Sequence, residues 1–440
     1  MLSQSDKMSA QEIVGKSREY TLFSWSIQGK TNPIPVVGGE GVYFWDANGK
    51  RYLDFSSQLM NLNIGHQNPK VVKAIQDQAA KLSFAHPAFA TEPRGLLGEK
   101  IAKVSPGNLK KTFFCLGGAE ANENAIKIAR AYTGRHKILS RYRSYHGATH
   151  GAIALTGDYR RLPVEPTMPG VVHFLDPYCY RCPFGWTRET CHLECIKHVE
   201  EILAYEGPDR VAAIIMEGVT GSNGLIVPPN EYWPAIREIC NKYGILLISD
   251  EVMSGWGRTG AWFAVDHWNV VPDMITTAKG LTSGYVPLGA VIVSEPIADY
   301  FEDHMLWCGL TYSAHPLACA AGVATLKVYE DDGLIENARN LGKHLGEKLE
   351  QLKKSHPSVG DVRYIGLFSA IELVKNRETK QPLEPLNELD ANLKANGLYT
   401  YINRHFVFVV PPLCINEAQL DEGLKIMDQA LLITDAMVEK

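Results

Sequence analysis

A chain of 440 residues is too long for one compact core, so its length points to two domains. Hydrophobic residues make up 45% and charged residues 21%, as in ordinary globular proteins of the aqueous phase. The formal net charge is −5 with no long basic run, which argues against nucleic acid as a partner. No apolar run is long enough to span a membrane, and residues 1–7 lack the basic-then-apolar pattern of a secretory signal. Of nine cysteines, Cys115, Cys240, Cys308 and Cys319 lie in apolar runs and are expected to be reduced core thiols. A cytoplasmic location is the expectation.

Residues 1–30 carry a polar lead and then an aromatic-rich segment that contains Phe23 and Trp25. Residues 41–54 predict a hairpin, two alternating strands joined at Asn48-Gly49. Helical spacing follows over 69–82 and again over 95–104. From residue 113 onward, short apolar strands alternate with helices. The strands are predicted over 113–115, 137–140, 171–174, 211–216, 245–249, 274–277 and 290–293. Seven such strands define a layered α/β domain with a mostly parallel sheet. After residue 316 the pattern turns helical, over 317–329 and 334–352, and the last stretch mixes strands (365–372, 406–410) with a final helix over 417–431. That C-terminal piece reads as α+β, joined by the early hairpin. The division is residues 1–65 and 331–440 for a smaller domain built from both termini, and 66–330 for the large domain.

The strand over 245–249 runs into Asp250, and the next one runs out into Ala278-Lys279. In an open parallel sheet the carboxyl ends of the strands share one rim, and ligands sit there. An acid and an amine on one rim suit pyridoxal phosphate, which needs a lysine for its aldehyde and an acid for its ring nitrogen. Gly117-Gly118-Ala119 follows the first strand and opens a helix, a geometry that aims free N–H groups at a phosphate. Tyr145, after the next strand, could stack on a planar ring. Each of these has an ordinary explanation: a tight turn, a turn tyrosine, a helix cap, a solvated lysine. Their joint placement at consecutive strand ends does not.

The run Leu247-Ile248-Ser249-Asp250-Glu251-Val252, then Gly255-Trp256-Gly257-Arg258-Thr259-Gly260, then Pro272-Asp273 and Ala278-Lys279-Gly280, resembles the class III aminotransferases of pyridoxal phosphate fold type I. The likeness extends from the early hairpin to Pro411-Pro412. It implies that Lys279 forms the Schiff base with the cofactor and then carries a proton, and that Asp250 pairs with the ring nitrogen. It further implies that Val252 and Tyr145 cover the two faces of the ring and that the N–H groups of Gly118 and Ala119 hold the phosphate. Thr311 resembles the residue that reaches the phosphate of a neighbouring subunit, so a homodimer or a dimer of dimers is implied. The substrates implied are an amine and a keto acid.

Departures from relatives bear on substrate. Ala119 stands where many have serine. Met253 and Ser222 replace the glutamine and the gating glutamate of 4-aminobutyrate- and ornithine-type enzymes, as in the amine, β-alanine and taurine branch. An arginine preceding Pro411-Pro412 is expected to swing onto carboxylates, and Arg404 is the candidate, with a surface arginine at a strand start as its ordinary alternative. Met60 falls where amine–pyruvate relatives often place a pocket tryptophan and leaves more room there; Trp25, Phe84 and Phe89 are further candidate pocket walls, with core packing the ordinary alternative for any one of them. Cys179, Cys182, Cys191 and Cys195 form two close pairs that suit zinc or an iron–sulfur cluster, or a structural insertion with reduced thiols, which the resemblance favours. The implied activity is transfer of an amino group from an ω-amino acid, taurine or a primary amine to pyruvate or 2-oxoglutarate. A 4-aminobutyrate- or ornithine-type transaminase, an aminomutase and a dialkylglycine-type decarboxylase share the fold. A nicotinamide oxidoreductase would want Gly-x-Gly-x-x-Gly, which residues 117–122 do not supply, and a non-catalytic binding protein would be expected to lack Lys279.

Overall fold

The structure, a computed structural model, describes residues 8–439; the N-terminal lead over 1–7 lies outside the described residues. Strands β1 (Val36–Glu40), β2 (Tyr43–Asp46) and β3 (Arg51–Asp54) form an antiparallel ribbon. The expected turn joins β2 to β3. Asp46 accepts from the backbone N–H groups of Asn48 and Lys50, and Gly49 takes φ +81°, the conformation that such a turn asks of glycine.

The large sheet contains β4 (Leu109–Cys115), β5 (Lys137–Arg141), β6 (Val171–Phe174), β7 (Val211–Glu217), β8 (Leu246–Asp250), β9 (Met274–Thr277) and β10 (Gly289–Ser294). Their order is β4-β10-β9-β8-β7-β5-β6, with β10 antiparallel to both neighbours and the other pairs parallel. All seven expected strands are present; the largest change is at β4, which begins at Leu109. Strands β7 to β10 are buried at every residue because helices cover both faces, which is why they read as unbroken apolar runs. Alternate residues feed two cores. Ile214, Met216, Leu247 and Ile275 join one, while Ala213, Ile215, Ile248 and Met274 join the other beneath helix Gly118–Thr133. Each such isoleucine, leucine or methionine contributes about 1.5–3 kcal/mol on burial, so the strand ends are held rigidly.

The termini build the rest. Strands β11 (Val359–Ile365), β12 (Phe368–Asn376), β13 (Gln381–Pro382), β14 (Leu398–Tyr399), β15 (Ile402–Asn403) and β16 (Phe406–Val409) follow helices Pro316–Asp331 and Leu334–Ser355. One sheet runs β11-β12-β16-β15, with β13 on β12. The C-terminal β14 pairs in parallel with β3 and so knits the early ribbon to the end of the chain. Among the described residues, no helix is long and apolar enough to cross a membrane. Cys115, Cys240 and Cys319 are buried as expected; Cys308 is only half-buried, because its irregular stretch, with the exposed Met305 and Trp307, lies near the surface.

Candidate active site

Pairing register brings two carboxylates side by side. Glu217, the last residue of β7, is the partner of Asp250, the last of β8, and Asp250 in turn faces Thr276 of β9. Three residues past Thr276 comes Lys279. Asp250 is buried and held from several directions. Its Oδ1 accepts from the Val252 N–H at 3.0 Å; its Oδ2 accepts from Asn122 Nδ2 at 2.8 Å and lies 2.7 Å from His146 Nδ1. Asn122 is itself fixed, since its Oδ1 accepts from the Thr276 hydroxyl at 2.7 Å. Hydrogen bonds to a charged group are worth about 1.5–3 kcal/mol each, so this carboxylate is locked in one orientation.

Glu217 accepts from the Tyr145 N–H at 3.0 Å and the Gly221 N–H at 2.7 Å. Burial pushes its carboxyl up and Asp250 adds to that, against His146 and Arg141. It thereby ties the segment bearing Tyr145 to the loop bearing Ser222.

Lys279 adopts φ +36°, a left-handed conformation that a side chain rarely takes and that persists where the surroundings impose it. It is half-buried. Burial lowers the pKa of its amine, Asp250 and Glu217 oppose that, and Arg160 reinforces it. A lowered lysine pKa leaves more of the amine free to act as a nucleophile. Gly118 begins helix Gly118–Thr133, so its N–H and that of Ala119 have no partner within the helix. A Cβ at Gly118 would stand 2.8 Å from the Val252 methyls, and one at Gly147 would stand 2.5 Å from Ala119 Cβ. The loop is therefore a tight cradle that excludes larger side chains.

Over Tyr145 lies a residue that no sequence motif marks. The Arg160 guanidinium sits 4.0 Å from the Tyr145 ring centroid, and Trp25 meets the same ring edge-on at 6.1 Å. Asp158 grips Arg160 through both oxygens, with Nε at 2.9 and 3.1 Å, and Nη2 donates to the Ser222 hydroxyl at 2.7 Å. Nη1 has no hydrogen-bond partner among the described residues and is not sealed from solvent. Asn403 Nδ2 completes the wall by donating to the Ser222 carbonyl at 2.7 Å.

The remaining candidates make no hydrogen bond to Asp250, Glu217 or Arg160 among the described residues. Arg404, at φ +56°, is 57% exposed and paired with Glu384 at 3.2 Å. Met60 is buried in the main core. Trp25, Phe84 and Phe89 are exposed, which rejects core packing as their explanation. Thr311 is exposed beside Tyr312, whose ring meets that of Phe84. Met253 packs over Gly221, where a Cβ would lie 2.0 Å from its sulfur. Among the described residues, the one group of three potential ligands within 4.8 Å is His344, Glu417 and Asp421 at the surface; the four loop cysteines form no such group.

A seven-stranded sheet with an acid and an amine on its carboxyl rim defines an α/β enzyme of pyridoxal phosphate fold type I. The family model for Aminotransferase class-III matches residues 26–431, and the chain belongs to that family of enzymes. The structure of taurine:2-oxoglutarate aminotransferase from Bifidobacterium kashiwanohense, in complex with PLP and glutamate, is 44% identical. It covers 98% of this chain and 99% of its own, with a TM-score of 0.94. An (S)-enantioselective omega-transaminase from Thermomicrobium roseum is 38% identical over 98% of this chain and 100% of its own, also at 0.94. A leucine/methionine racemase from Thermococcus litoralis is 38% identical over 91% of this chain and 90% of its own length. Class III aminotransferases use pyridoxal phosphate, and the residues present fit it: a locked carboxylate, an amine of lowered pKa and a cradle closed to a Cβ at Gly118 and Gly147.

Proposed function

We propose that this enzyme transfers an amino group from an acid-tailed ω-amine, with taurine and β-alanine as the type donors, to pyruvate or 2-oxoglutarate, and that it also accepts simple primary amines. The observation that carries the proposal is Arg160, the one arginine found stacked on Tyr145 with an N–H pair left free. A sulfonate or carboxylate presents the oxygens that such a guanidinium binds. The names of the taurine and omega-transaminase relatives support the same donor class.

Lys279 would hold the cofactor covalently, Asp250 would face its ring nitrogen, and Gly118 and Ala119 would bind its phosphate. Val252 and Tyr145 would enclose the ring, and Thr311 would reach the phosphate in a partner subunit. When bound, pyridoxal phosphate supplies an electron-accepting ring that makes a C–H bond beside the substrate nitrogen acidic. Asp250, fixed by Asn122 and His146, keeps its negative charge pointed at one place. Lys279 Nζ moves the proton at the substrate carbon that bears nitrogen. Arg160 orients the far end of the donor, with Trp25 and Ser222 closing that side, while Tyr145 shields the reacting carbon from water. Donor and keto acid use the pocket in turn, a ping-pong order. A homodimer fits the exposed Trp307, Met305 and Phe84 near Thr311, and nine unpaired cysteines fit a cytoplasmic setting.

The test is a panel of taurine, β-alanine, 4-aminobutyrate and 1-phenylethylamine against both keto acids. Turnover of taurine or β-alanine above that of 1-phenylethylamine is expected; amine turnover without preference for an acid tail would reject Arg160 as its receptor. The racemase relative favours a second possibility, which amino acid racemisation in the absence of any keto acid would reveal.

A further inference from the structure

Glu372 lies in the middle of β12, buried on both faces, and its side chain is fully enclosed. A carboxylate in such a place needs partners. The Tyr178 hydroxyl donates to Oε2, and Arg363 Nη1 lies 2.8 Å from the same oxygen. Arg181 Nε donates to Oε1 at 2.5 Å, and His405 Nε2 stands 3.6 Å away. Burial alone would raise this carboxyl, but the nearby His405 ring, the Tyr178 hydroxyl and the charges of Arg363 and Arg181 outweigh it and hold it well below the usual range. Two guanidinium groups and a hydroxyl thus surround its negative charge.

These partners come from separate parts of the chain. Tyr178 and Arg181 open the cysteine-rich loop, Arg363 belongs to β11, and His405 precedes β16. From Arg363 the contacts continue toward the substrate. Its Nε donates to the Gly224 carbonyl at 2.8 Å. Gly224 has φ +107° and sits so close to Phe406 that a Cβ would fall 2.7 Å from the ring. Two residues earlier, Ser222 receives Arg160 on its hydroxyl and Asn403 on its carbonyl.

We propose that Glu372 is a positioning residue that sets the orientation of the Arg160 guanidinium, and so selects acid-tailed donors, by holding Arg363 against the 221–225 loop. Glu372 touches neither substrate nor cofactor; it acts through Arg363, Gly224 and Ser222. The inference rests on Arg160 being the receptor for the donor's acid group. It also gives the cysteine-rich loop a task, since Tyr178 and Arg181 complete the set of donors that keeps Glu372 in place.

The experiment uses the holoenzyme and its Glu372→Gln variant, which keeps the shape and removes the charge. Kinetics are measured with taurine, β-alanine and 1-phenylethylamine, and binding of propane-1-sulfonate by calorimetry. KM for both acid-tailed donors and Kd for the sulfonate are expected to rise about 10-fold, while kcat and the 1-phenylethylamine reaction stay within about 2-fold. In an Arg160→Ala background the same substitution is expected to add nothing further to those KM values. A loss shared equally by all three donors, or no change in any, overturns the proposal. Tyr178→Phe removes one donor and leaves the anion, so it covers the case in which Glu372→Gln fails to fold. It is expected to give the same pattern in weaker form, and an unaltered KM there overturns the proposal too. A wild-type enzyme that turns over 1-phenylethylamine but binds no sulfonate sinks the acid-tail receptor itself. Tight sulfonate binding that is indifferent to Glu372 sinks only the positioning role.

Discussion

On the sheet side of the pocket, Asp250 and Glu217 end two paired, wholly buried strands, so backbone register fixes their separation. On the other side, Arg160 and Ser222 arrive on turns and Asn403 at the end of the short strand β15, and they meet only through side-chain and carbonyl hydrogen bonds. The first wall is set by a core whose rearrangement would cost the whole domain; the second depends on a handful of polar contacts. That difference predicts a division of effects. Changes at the sheet rim should abolish chemistry for every donor, whereas changes at the loop wall should redistribute donors and leave the chemistry intact.

The largest expected effect is at Lys279. Its replacement by alanine should lower the rate of the half-reaction at least about 10³-fold for all donors alike, as loss of a general base does. Rapid bleaching of the visible cofactor band by taurine in that variant would break the comparison at its firmest point. Asp250→Asn should follow, with a loss of about 100-fold in kcat that is again indifferent to donor, because it removes a fixed charge from a site built around it. On the other wall, Arg160→Ala should cost about 30-fold in kcat/KM for taurine and β-alanine, in line with about 2 kcal/mol for a charged hydrogen bond, and little for 1-phenylethylamine. Equal losses for all three would place Arg160 with the sheet rim and erase the distinction.

Two smaller effects sharpen it. Lys279 binds its proton less tightly in the folded apoenzyme than in the unfolded chain, so the unfolded state carries more protons at intermediate pH. Stability should therefore rise with pH, from the lowered folded value up to the ordinary lysine value of 10.5, and Lys279→Met should flatten that rise in thermal melts of the apoenzyme. Parallel curves for the two proteins would contradict the burial of the amine. The smallest change is at Arg404, an exposed residue paired with Glu384, where alanine should alter KM for the keto acid by less than about 3-fold. A large increase would bring that arginine back to the substrate side.

The sheet rim was legible in the sequence because it rests on local signals. Apolar runs bounded by Gly244 and by Asp250 mark where a buried strand starts and stops, and Lys279 follows the next one at once. The antiparallel direction of β10 was not legible, since a buried strand has the same composition whichever way it runs. Nor was the loop wall. Asp158-Tyr159-Arg160-Arg161 looks like a solvated turn, and only folding brings Ser222 and Tyr145 against Arg160. His146 and Asn122 were hidden for a similar reason: their contact with Asp250 joins residues more than a hundred positions apart. Glu372 sits in a strand where one polar residue suggests an outward face, yet the cysteine-rich loop covers that face. An acid and a base two residues apart, at 158 and 160, are spaced to clasp each other, but nothing in that doublet marks a site.

The central claim is that the amine of Lys279 meets the cofactor opposite Asp250. It is tested most directly by treating the loaded enzyme with borohydride, which makes the lysine–cofactor bond permanent, and then locating the pyridoxyl group by peptide mass spectrometry. The tag is expected on Lys279 alone, and absent when an amine donor is added first. A tag on any other lysine, in protein that still turns over amines, would contradict the site described above.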